Sequence, residues 1–370
     1  MPMLKLVSKK KLNQKLKNNL TKVEHSFNLF YLQINILIIM KHIIIFGGAG
    51  FIGTNLIKYL LSDKNNKILC IDNLQTGREI NLKDFINNKN FLFNIIDITN
   101  YFAYDHTKEI IKNSFDNKVD EIYNLACPAS PPKYMKDPLH TIKTSLAVMW
   151  ICKLAKEYDA KILHASTSEV YGNPDIEHHP QNEEYHGNVN IIGPRSCYDE
   201  GKRIAETILY EYHKLGVKCK IIRIFNTYGP HMDPNDGRVI SNFVCQALLN
   251  KDITIYGDGK QTRSFQYVDD LIYGMTEFMK INDEMGPVNI GNPGEFTMIE
   301  LANLVLKLIP ESKSKIVYKE LPKDDPIQRK ADISKAYKMF GYKPKISLEE
   351  GLKKTINYFN VELNSTKFLY

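Results

Sequence analysis

Downstream of residue 40, the apolar positions fall into short runs rich in β-branched residues, separated by longer segments with helical periodicity. The apolar runs are Ile43 to Phe46, Lys67 to Ile71, Asn90 to Ile96, Glu121 to Leu125, Lys161 to Ala165 and Lys218 to Phe225. Strands that alternate with helices in this way form βαβ units, which build a parallel sheet covered by helices on both faces. The pattern therefore predicts the α/β class and a doubly wound parallel sheet.

The first forty residues differ from the rest of the chain in charge. The 370 residues include 49 Lys and Arg against 42 Asp and Glu, but seven lysines and only one acid precede Lys41. The other 330 residues carry 42 basic and 41 acidic side chains. Because binding to nucleic acid needs a basic surface, this near-neutral body argues against a nucleic-acid partner.

We predict that residues 1–40 form a basic and apolar tail outside the fold, with Met40 as an alternative start. The apolar run from Phe27 to Met40 is too short to cross a bilayer, which takes about 20 residues. A weak membrane anchor and a targeting peptide are the alternatives. The six cysteines show no C-x-x-C spacing, so we expect no metal site and reduced thiols in a cytoplasmic compartment.

A glycine-rich turn joins the first predicted strand to the helix that follows. Its glycines allow a tight turn, close approach of the backbone to a pyrophosphate, and close helix–strand packing. The next strand ends in an aspartate, whose carboxylate can accept both ribose hydroxyls of NAD and repels the extra phosphate of NADP. The sequence therefore predicts a Rossmann-like fold that binds NAD. The predicted contacts in this part are Gly47, Gly50, Phe51, Ile52, Gly53, Asp72 and Asn73.

A second motif places Tyr198 and Lys202 four residues apart, so that both side chains lie on one face of a predicted helix. By itself this spacing also fits a solvated helix face. A nearby cation stabilises a phenolate, so we expect Lys202 to lower the pKa of Tyr198 and let it act as a general base. The hydroxyls of Ser166 to Ser168 directly follow a predicted strand, at the sheet edge where ligands bind in open α/β folds.

Together these residues resemble the extended short-chain dehydrogenase/reductase family that acts on nucleotide sugars, and within it the UDP-glucuronate decarboxylases, or UDP-xylose synthases. The resemblance runs from about Lys41 to Tyr358. Two stretches, Pro128 to Pro132 and Asp324 to Lys330, are particularly similar to the decarboxylase branch. The other matching stretches are Gly47 to Gly53, Asn124 to Cys127, Ser166 to Gly172, Gly193 to Arg203, Arg223 to Pro230, Asn235 to Arg238 and Gln261 to Arg263.

By position, the resemblance implies roles for further residues. Thr167 would hydrogen-bond the sugar 4-hydroxyl beside Tyr198, Glu169 would be the active-site acid, and Arg329 would face the sugar carboxylate. With Tyr198 and Lys202 these form the implied catalytic set. The further implied cofactor contacts are Asp97, Ile98, Leu125, Cys127 and Thr144, besides Tyr198 and Lys202. The implied substrate contacts are Lys143, Asn226, Arg238, Asn242, Arg263 and Arg329.

The resemblance implies that the chain converts UDP-glucuronate to UDP-xylose through a 4-keto intermediate, regenerates NAD+, and forms a homodimer through the helices that begin near Thr141 and Tyr198. The alternatives are a decarboxylase that releases the UDP-4-keto-pentose, a nucleotide-sugar 4,6-dehydratase, and a non-catalytic NAD-binding scaffold. A 4-epimerase is less favoured, because Glu169 and the region of Arg329 suit a charged substrate. The dehydratases use an Asp-Glu pair where this chain has Ser168-Glu169, which disfavours the dehydratase. The intact pair Tyr198 and Lys202 argues against the scaffold.

The regular alternation ends after Phe225, where a stretch rich in Gly, Pro and Asp begins. We predict an NAD-binding domain of residues 41–227 plus about 264–292. A smaller, interleaved C-terminal substrate domain would comprise about 228–263 plus 293–360. Within it, Thr297 to Glu300 fits a capping box that begins a helix through about Leu308. Segments 98–120 and 144–150 depart from the family pattern.

Overall fold

The structure, a computed structural model, describes residues 40–320 and 328–367. The predictions for the N-terminal tail and for residues 324–326 concern parts of the chain outside these ranges. Within them, no helix combines the length and the apolar character that crossing a membrane requires.

The strands and helices are numbered along the described chain. The strands are β1 Lys41–Phe46, β2 Asn66–Asp72, β3 Phe91–Ile95, β4 Glu121–Asn124, β5 Lys161–Thr167, β6 Cys219–Ile224, β7 Thr227–Tyr228, β8 Ile253–Tyr256, β9 Thr262–Ser264, β10 Gln266–Tyr267, β11 Val288–Ile290, β12 Glu295–Thr297, β13 Ile316–Lys319 and β14 Gln328–Arg329. The helices are α1 Phe51–Leu60, α2 Ala103–Ser114, α3 Pro131–Tyr134, α4 Pro138–Leu146, α5 Val148–Glu157, α6 Ser196–Lys214, α7 Val239–Leu248, α8 Val268–Lys280, α9 Met298–Leu308, α10 Ser334–Phe340 and α11 Leu348–Lys367.

Seven strands form one parallel sheet in the order β3-β2-β1-β4-β5-β6-β11. The chain fills one half of the sheet outward from β1 to β3 and then returns to fill the other half from β4. This order confirms the predicted doubly wound α/β fold, and all six predicted strands are present. The seventh, β11, has only three residues, which is too few for a distinct hydrophobic run.

Both faces of the sheet are buried because alternate residues of the central strands enter two separate cores. Ile43 and Ile45 of β1 pack into the core that contains Leu56 of α1. Their neighbour Ile44 packs into the opposite core with Ile151 of α5. Successive strand residues point to opposite faces, so a strand covered on both sides needs a nearly continuous apolar run.

From Lys41 onward the chain forms one compact unit. Besides the main sheet, the described residues form three small sheets, β10-β7, β12-β9-β14 and β13-β8. Phe243 of α7 and Val305 of α9 belong to the same hydrophobic core as Ile43. The capping box at Thr297 and Glu300 begins α9, which ends at Leu308 as expected. The division into two interleaved domains stays a prediction, since a single core extends across the proposed boundary.

We expect Leu56→Ala to lower the free energy of unfolding by about 2–5 kcal/mol, because it leaves a cavity where α1 meets the sheet. Leu56 is fully buried. Lys58→Ala, at an exposed position of the same helix, is the matched control and should change stability by no more than about 0.5 kcal/mol. Urea denaturation measures both values. Equal losses would mean that α1 does not pack as described.

Candidate active site

A cavity of about 810 Å³ opens at the carboxyl ends of β1, β4 and β5 and reaches into the C-terminal part of the chain. Its lining unites most of the residues singled out from the sequence. Those residues are Gly47, Gly50, Phe51, Ile52, Gly53, Asp72, Asn73, Ile98, Leu125, Cys127, Thr144, Thr167, Glu169, Tyr198, Lys202, Asn226, Arg238, Asn242 and Arg263. Asp97 and Lys143 do not line the cavity.

The glycine turn is as tight as the sequence pattern predicts. Gly47 has a φ of +79°, and a Cβ there would lie 2.8 Å from the backbone nitrogen of Ala126. A Cβ on Gly53 would lie 2.3 Å from the Gly47 carbonyl oxygen. A side chain at position 47 would therefore clash with the segment after β4, and one at position 53 would force α1 away from the turn. The turn leads into the N-terminus of α1, where backbone N–H groups and the helix dipole favour a phosphate group.

Asp72 lies at the end of β2, with its carboxylate at the cavity wall. Its oxygens accept hydrogen bonds from the backbone N–H groups of Ala49, at 3.0 Å, and Leu74, at 2.8 Å. Burial raises the pKa of Asp72, and these backbone donors oppose that rise. The anchored carboxylate retains lone pairs for the hydroxyls of a cofactor ribose.

Asp97 supports the cofactor side of the cavity indirectly. The Asn73 side-chain amide donates to its carboxylate at 3.1 Å, and the Thr99 hydroxyl donates to it at 2.8 Å. Asp97 does not line the cavity itself, but its hydrogen bond orients Asn73, which does.

The tyrosine and lysine of α6 are both buried and both face the cavity. The Lys202 ammonium donates a 2.7 Å hydrogen bond to the Ala165 carbonyl of β5 and lies 5.8 Å from the centre of the Tyr198 ring. Burial raises the pKa of Tyr198, and a hydrogen bond with the Thr167 side chain opposes that rise. Burial also lowers the pKa of Lys202. The expectation that the tyrosine pKa falls is therefore wrong for this structure, because burial outweighs the hydrogen bond with Thr167.

Arg195, which precedes α6, has no role that the sequence predicts. Its guanidinium forms an ion pair with the Glu169 carboxylate, and its Nε lies 3.9 Å from Asp199. Arg195 and Glu169 both line the cavity. The acid expected at Glu169 is thus held by a cation before any substrate carboxylate enters. The position of Arg195 three residues before Tyr198 is the feature of the sequence that points to a place near the active site.

An aromatic stack that the sequence does not predict lies beside the tyrosine of α6. The Tyr134 ring lies parallel to the Tyr198 ring, with centroids 4.7 Å apart and an interplanar angle of 4°. Tyr134 ends α3, which begins with Pro131 and Pro132 directly after a β4 loop. Only the proline-rich segment marked this region in the sequence.

Helix α4 forms the wall beside α6. The Thr144 hydroxyl donates to the Cys127 sulfur at 3.4 Å. A Cβ on Gly201 would lie 2.7 Å from the Ser145 hydroxyl, so the two helices pack closely there. Because Thr144 and Ser145 face inward, their neighbour Lys143 is exposed to solvent. The structure therefore does not bring Lys143 to the predicted sugar-nucleotide site.

The opposite wall holds the polar residues expected to bind a nucleotide sugar. Arg238 forms a two-pronged ion pair with Asp236, with one N–O distance of 2.9 Å. Asn242 donates to the Gly237 carbonyl at 2.9 Å, and Arg263 donates to the Thr262 carbonyl at 2.9 Å. Strand β14 pairs Arg329 with Arg263 through the backbone. The Arg329 side chain lies outside the described part of the structure, so its predicted contact stays a prediction.

The fold and the cavity define a class: an NAD-dependent enzyme of the short-chain dehydrogenase/reductase type. The family model described as GDP-mannose 4,6 dehydratase matches residues 44–355. UDP-glucuronic acid decarboxylase 1 of Xenopus tropicalis is 46% identical over 325 residues, 87% of this chain and 73% of that protein. UDP-glucuronic acid decarboxylase 3 of Arabidopsis thaliana is 49% identical over 325 residues, 87% of this chain and 90% of that protein. The chain belongs to this family, in its UDP-glucuronic acid decarboxylase branch.

Solved structures agree with the class. UDP-glucuronic acid 4-epimerase from Bacillus cereus, in complex with UDP-glucuronic acid and NAD, has a TM-score of 0.75 and 26% identity, covering 89% of this chain and 100% of that chain. dTDP-glucose 4,6-dehydratase from Bacillus anthracis, in complex with NAD, has a TM-score of 0.76 and 26% identity over the same shares. The glycine turn and Asp72 fit this cofactor.

We expect Asp72→Ala to raise the dissociation constant of NAD about tenfold or more, because it removes a charged acceptor for the ribose hydroxyls. The same change should tighten NADP binding, because no carboxylate then repels the 2′-phosphate. Calorimetric titration of each cofactor tests both directions. An unchanged ratio of the two affinities would show that Asp72 does not contact the ribose.

Proposed function

We propose that the chain decarboxylates UDP-glucuronate to UDP-xylose through a 4-keto intermediate, with NAD+ regenerated in each cycle. One observation carries the proposal: a single cavity holds the glycine turn and Asp72, the Tyr198–Lys202 pair with Thr167, and the Glu169–Arg195 pair. The decarboxylases that share nearly half of its residues support the same reaction.

Tyr198 is the proposed base that removes the proton of the sugar 4-hydroxyl, while Thr167 hydrogen-bonds that oxygen. Lys202, tied to the end of β5, holds its charge beside the tyrosine. When bound, NAD+ supplies the hydride acceptor for C4 and a positive charge that favours the Tyr198 phenolate.

Oxidation at C4 places the C5 carboxylate β to a ketone. The C5–carboxylate bond can then break, carbon dioxide leaves, and the bonding electrons move onto the 4-oxygen as an enolate. Hydrogen-bond donors at Thr167 and Tyr198 stabilise this developing charge, which is usually a large contribution to such steps. Protonation at C5 and reduction at C4 then complete UDP-xylose.

We assign substrate binding to the polar wall. Arg238 and Arg263, with Asn226 and Asn242, would hold the UDP group, because guanidinium groups suit the geometry of phosphate oxygens. Arg329 would face the sugar carboxylate. Ser168 at the position of the dehydratase aspartate disfavours the 4,6-dehydratase alternative.

We propose a homodimer formed through an apolar face of α4, α5 and α6. Leu139, Ile142, Leu146 and Met149 are exposed at helical spacing, and Ile204 of α6 is exposed as well. Contiguous apolar surface of this kind marks interaction sites, and a second copy would cover it with the same face.

We also propose a reducing, cytoplasmic compartment, which the free cysteines support.

The deciding experiment incubates the purified chain with UDP-glucuronate and NAD+, identifies the nucleotide sugar by mass spectrometry, and follows NADH absorbance. We expect UDP-xylose without net NADH. A UDP-4-keto-pentose with stoichiometric NADH would establish the truncated reaction instead. Absence of decarboxylation would refute the proposal.

We expect Tyr198→Phe to reduce turnover by about 10²–10⁴-fold, because the base is lost while the ring remains. Binding of UDP should stay nearly unchanged. Tyr210→Phe, at an exposed position on the same helix, is the matched control and should keep wild-type turnover. Retained turnover in Tyr198→Phe would contradict the assignment.

We expect Ile142→Glu to convert a dimer into a monomer, because it places a charge in the centre of the apolar face. Ile176→Glu introduces the same charge at an exposed isoleucine elsewhere and should leave the dimer intact. Light scattering after size-exclusion chromatography measures the mass. A dimeric Ile142→Glu chain would place the interface elsewhere.

A further inference from the structure

The loop after β2 folds back onto the glycine turn. The backbone N–H of Arg78 donates to the Ala49 carbonyl at 3.0 Å, and the Asn81 side-chain amide donates to the same oxygen at 3.0 Å. A Cβ on Gly77 would lie 2.8 Å from the Asp72 carboxylate. These contacts hold Arg78 beside the turn that receives the cofactor phosphates.

One side of the Arg78 guanidinium is anchored and the other is not. Its Nη2 forms an ion pair with Glu362, near the end of α11. Its Nη1 is buried and makes no hydrogen bond to any described residue. Arg78 lines the cavity. A buried guanidinium N–H without an acceptor is unfavourable unless a ligand supplies one.

The surroundings leave Arg78 as a suitable cation for a phosphate. His231 lies nearby, but burial lowers its pKa to about 4, so it adds no positive charge at neutral pH. The Tyr358 hydroxyl shares a hydrogen bond with the Arg78 side chain, and Asp233 lies within electrostatic range of the guanidinium. Glu362 takes the hydrogen bond of Nη2, so the N–H groups of Nη1 remain available as donors. An anionic oxygen, such as one of a pyrophosphate, is a suitable acceptor for them.

We propose that Arg78 is a further cofactor-binding residue, which donates from Nη1 to the pyrophosphate of NAD and is held in place by Glu362 of the last helix. The inference rests on the proposed function, which requires NAD, and adds a contact outside the glycine turn. It also makes cofactor affinity depend on Glu362 of α11, which lies 284 residues further along the chain.

The test measures binding of NAD, NADP and UDP by calorimetry to the full chain freed of nucleotide. Arg78→Met should raise the dissociation constant of NAD about 10–100-fold, the effect of losing one charged hydrogen bond. Glu362→Gln keeps the guanidinium but loosens it, so we expect a rise of about three- to tenfold. Affinity for UDP should not change in either variant. Glu349→Gln, at a surface ion pair on the same helix, is the matched control and should bind NAD like the wild type.

Wild-type NAD affinity in both Arg78→Met and Glu362→Gln would overturn the proposal. Parallel loss of NAD and UDP affinity with a lower melting temperature would also overturn it, because the ion pair would then be structural only. A loss confined to NADP would place Arg78 at the ribose instead. These readouts do not involve catalysis, so a chain that binds NAD as expected but forms no UDP-xylose would refute the proposed function and leave this inference standing.

Discussion

The hydrogen bond from Lys202 to the Ala165 carbonyl is the contact on which the arrangement of the site depends. It fixes α6 at the end of β5, and the helical repeat then places Tyr198 one turn earlier on the same face. Thr167 lies two strand residues beyond Ala165, so it shares that face of the sheet and meets the tyrosine hydroxyl. A single buried contact thus brings together three groups that lie on two different elements.

Burial sets the electrostatics of the cavity more than the presence of charged neighbours does. It raises the pKa of both Tyr198 and Asp72 and lowers that of Lys202. Two arginines that line the cavity are paired with acids of the same chain, Arg195 with Glu169 and Arg238 with Asp236. An anionic substrate would therefore compete with those two acids for the two arginines.

Features that depend only on a short local stretch of the chain could be predicted from the sequence. Six strands, the glycine turn and the capping box at Thr297 follow from local pattern and are present in the structure. Contacts between distant segments could not, such as the stack of Tyr134 on Tyr198 or the pair of Arg195 with Glu169. The orientation of Lys143 and the sign of the tyrosine pKa shift failed for the same reason, since helix packing and burial are tertiary properties. Strand β11 was too short to show a pattern.

The core that contains Ile43 of the central strand also contains Phe243 and Val305 from the C-terminal part of the chain. On that side, the apolar face of the nucleotide-binding half is therefore covered by the C-terminal part of the chain. Transplanting the C-terminal segment onto another cofactor-binding scaffold would expose apolar side chains on both pieces. Changes in the loops around the cavity can therefore alter substrate preference without disturbing the shared hydrophobic core. Exchange of whole segments would expose that core and destabilise both parts.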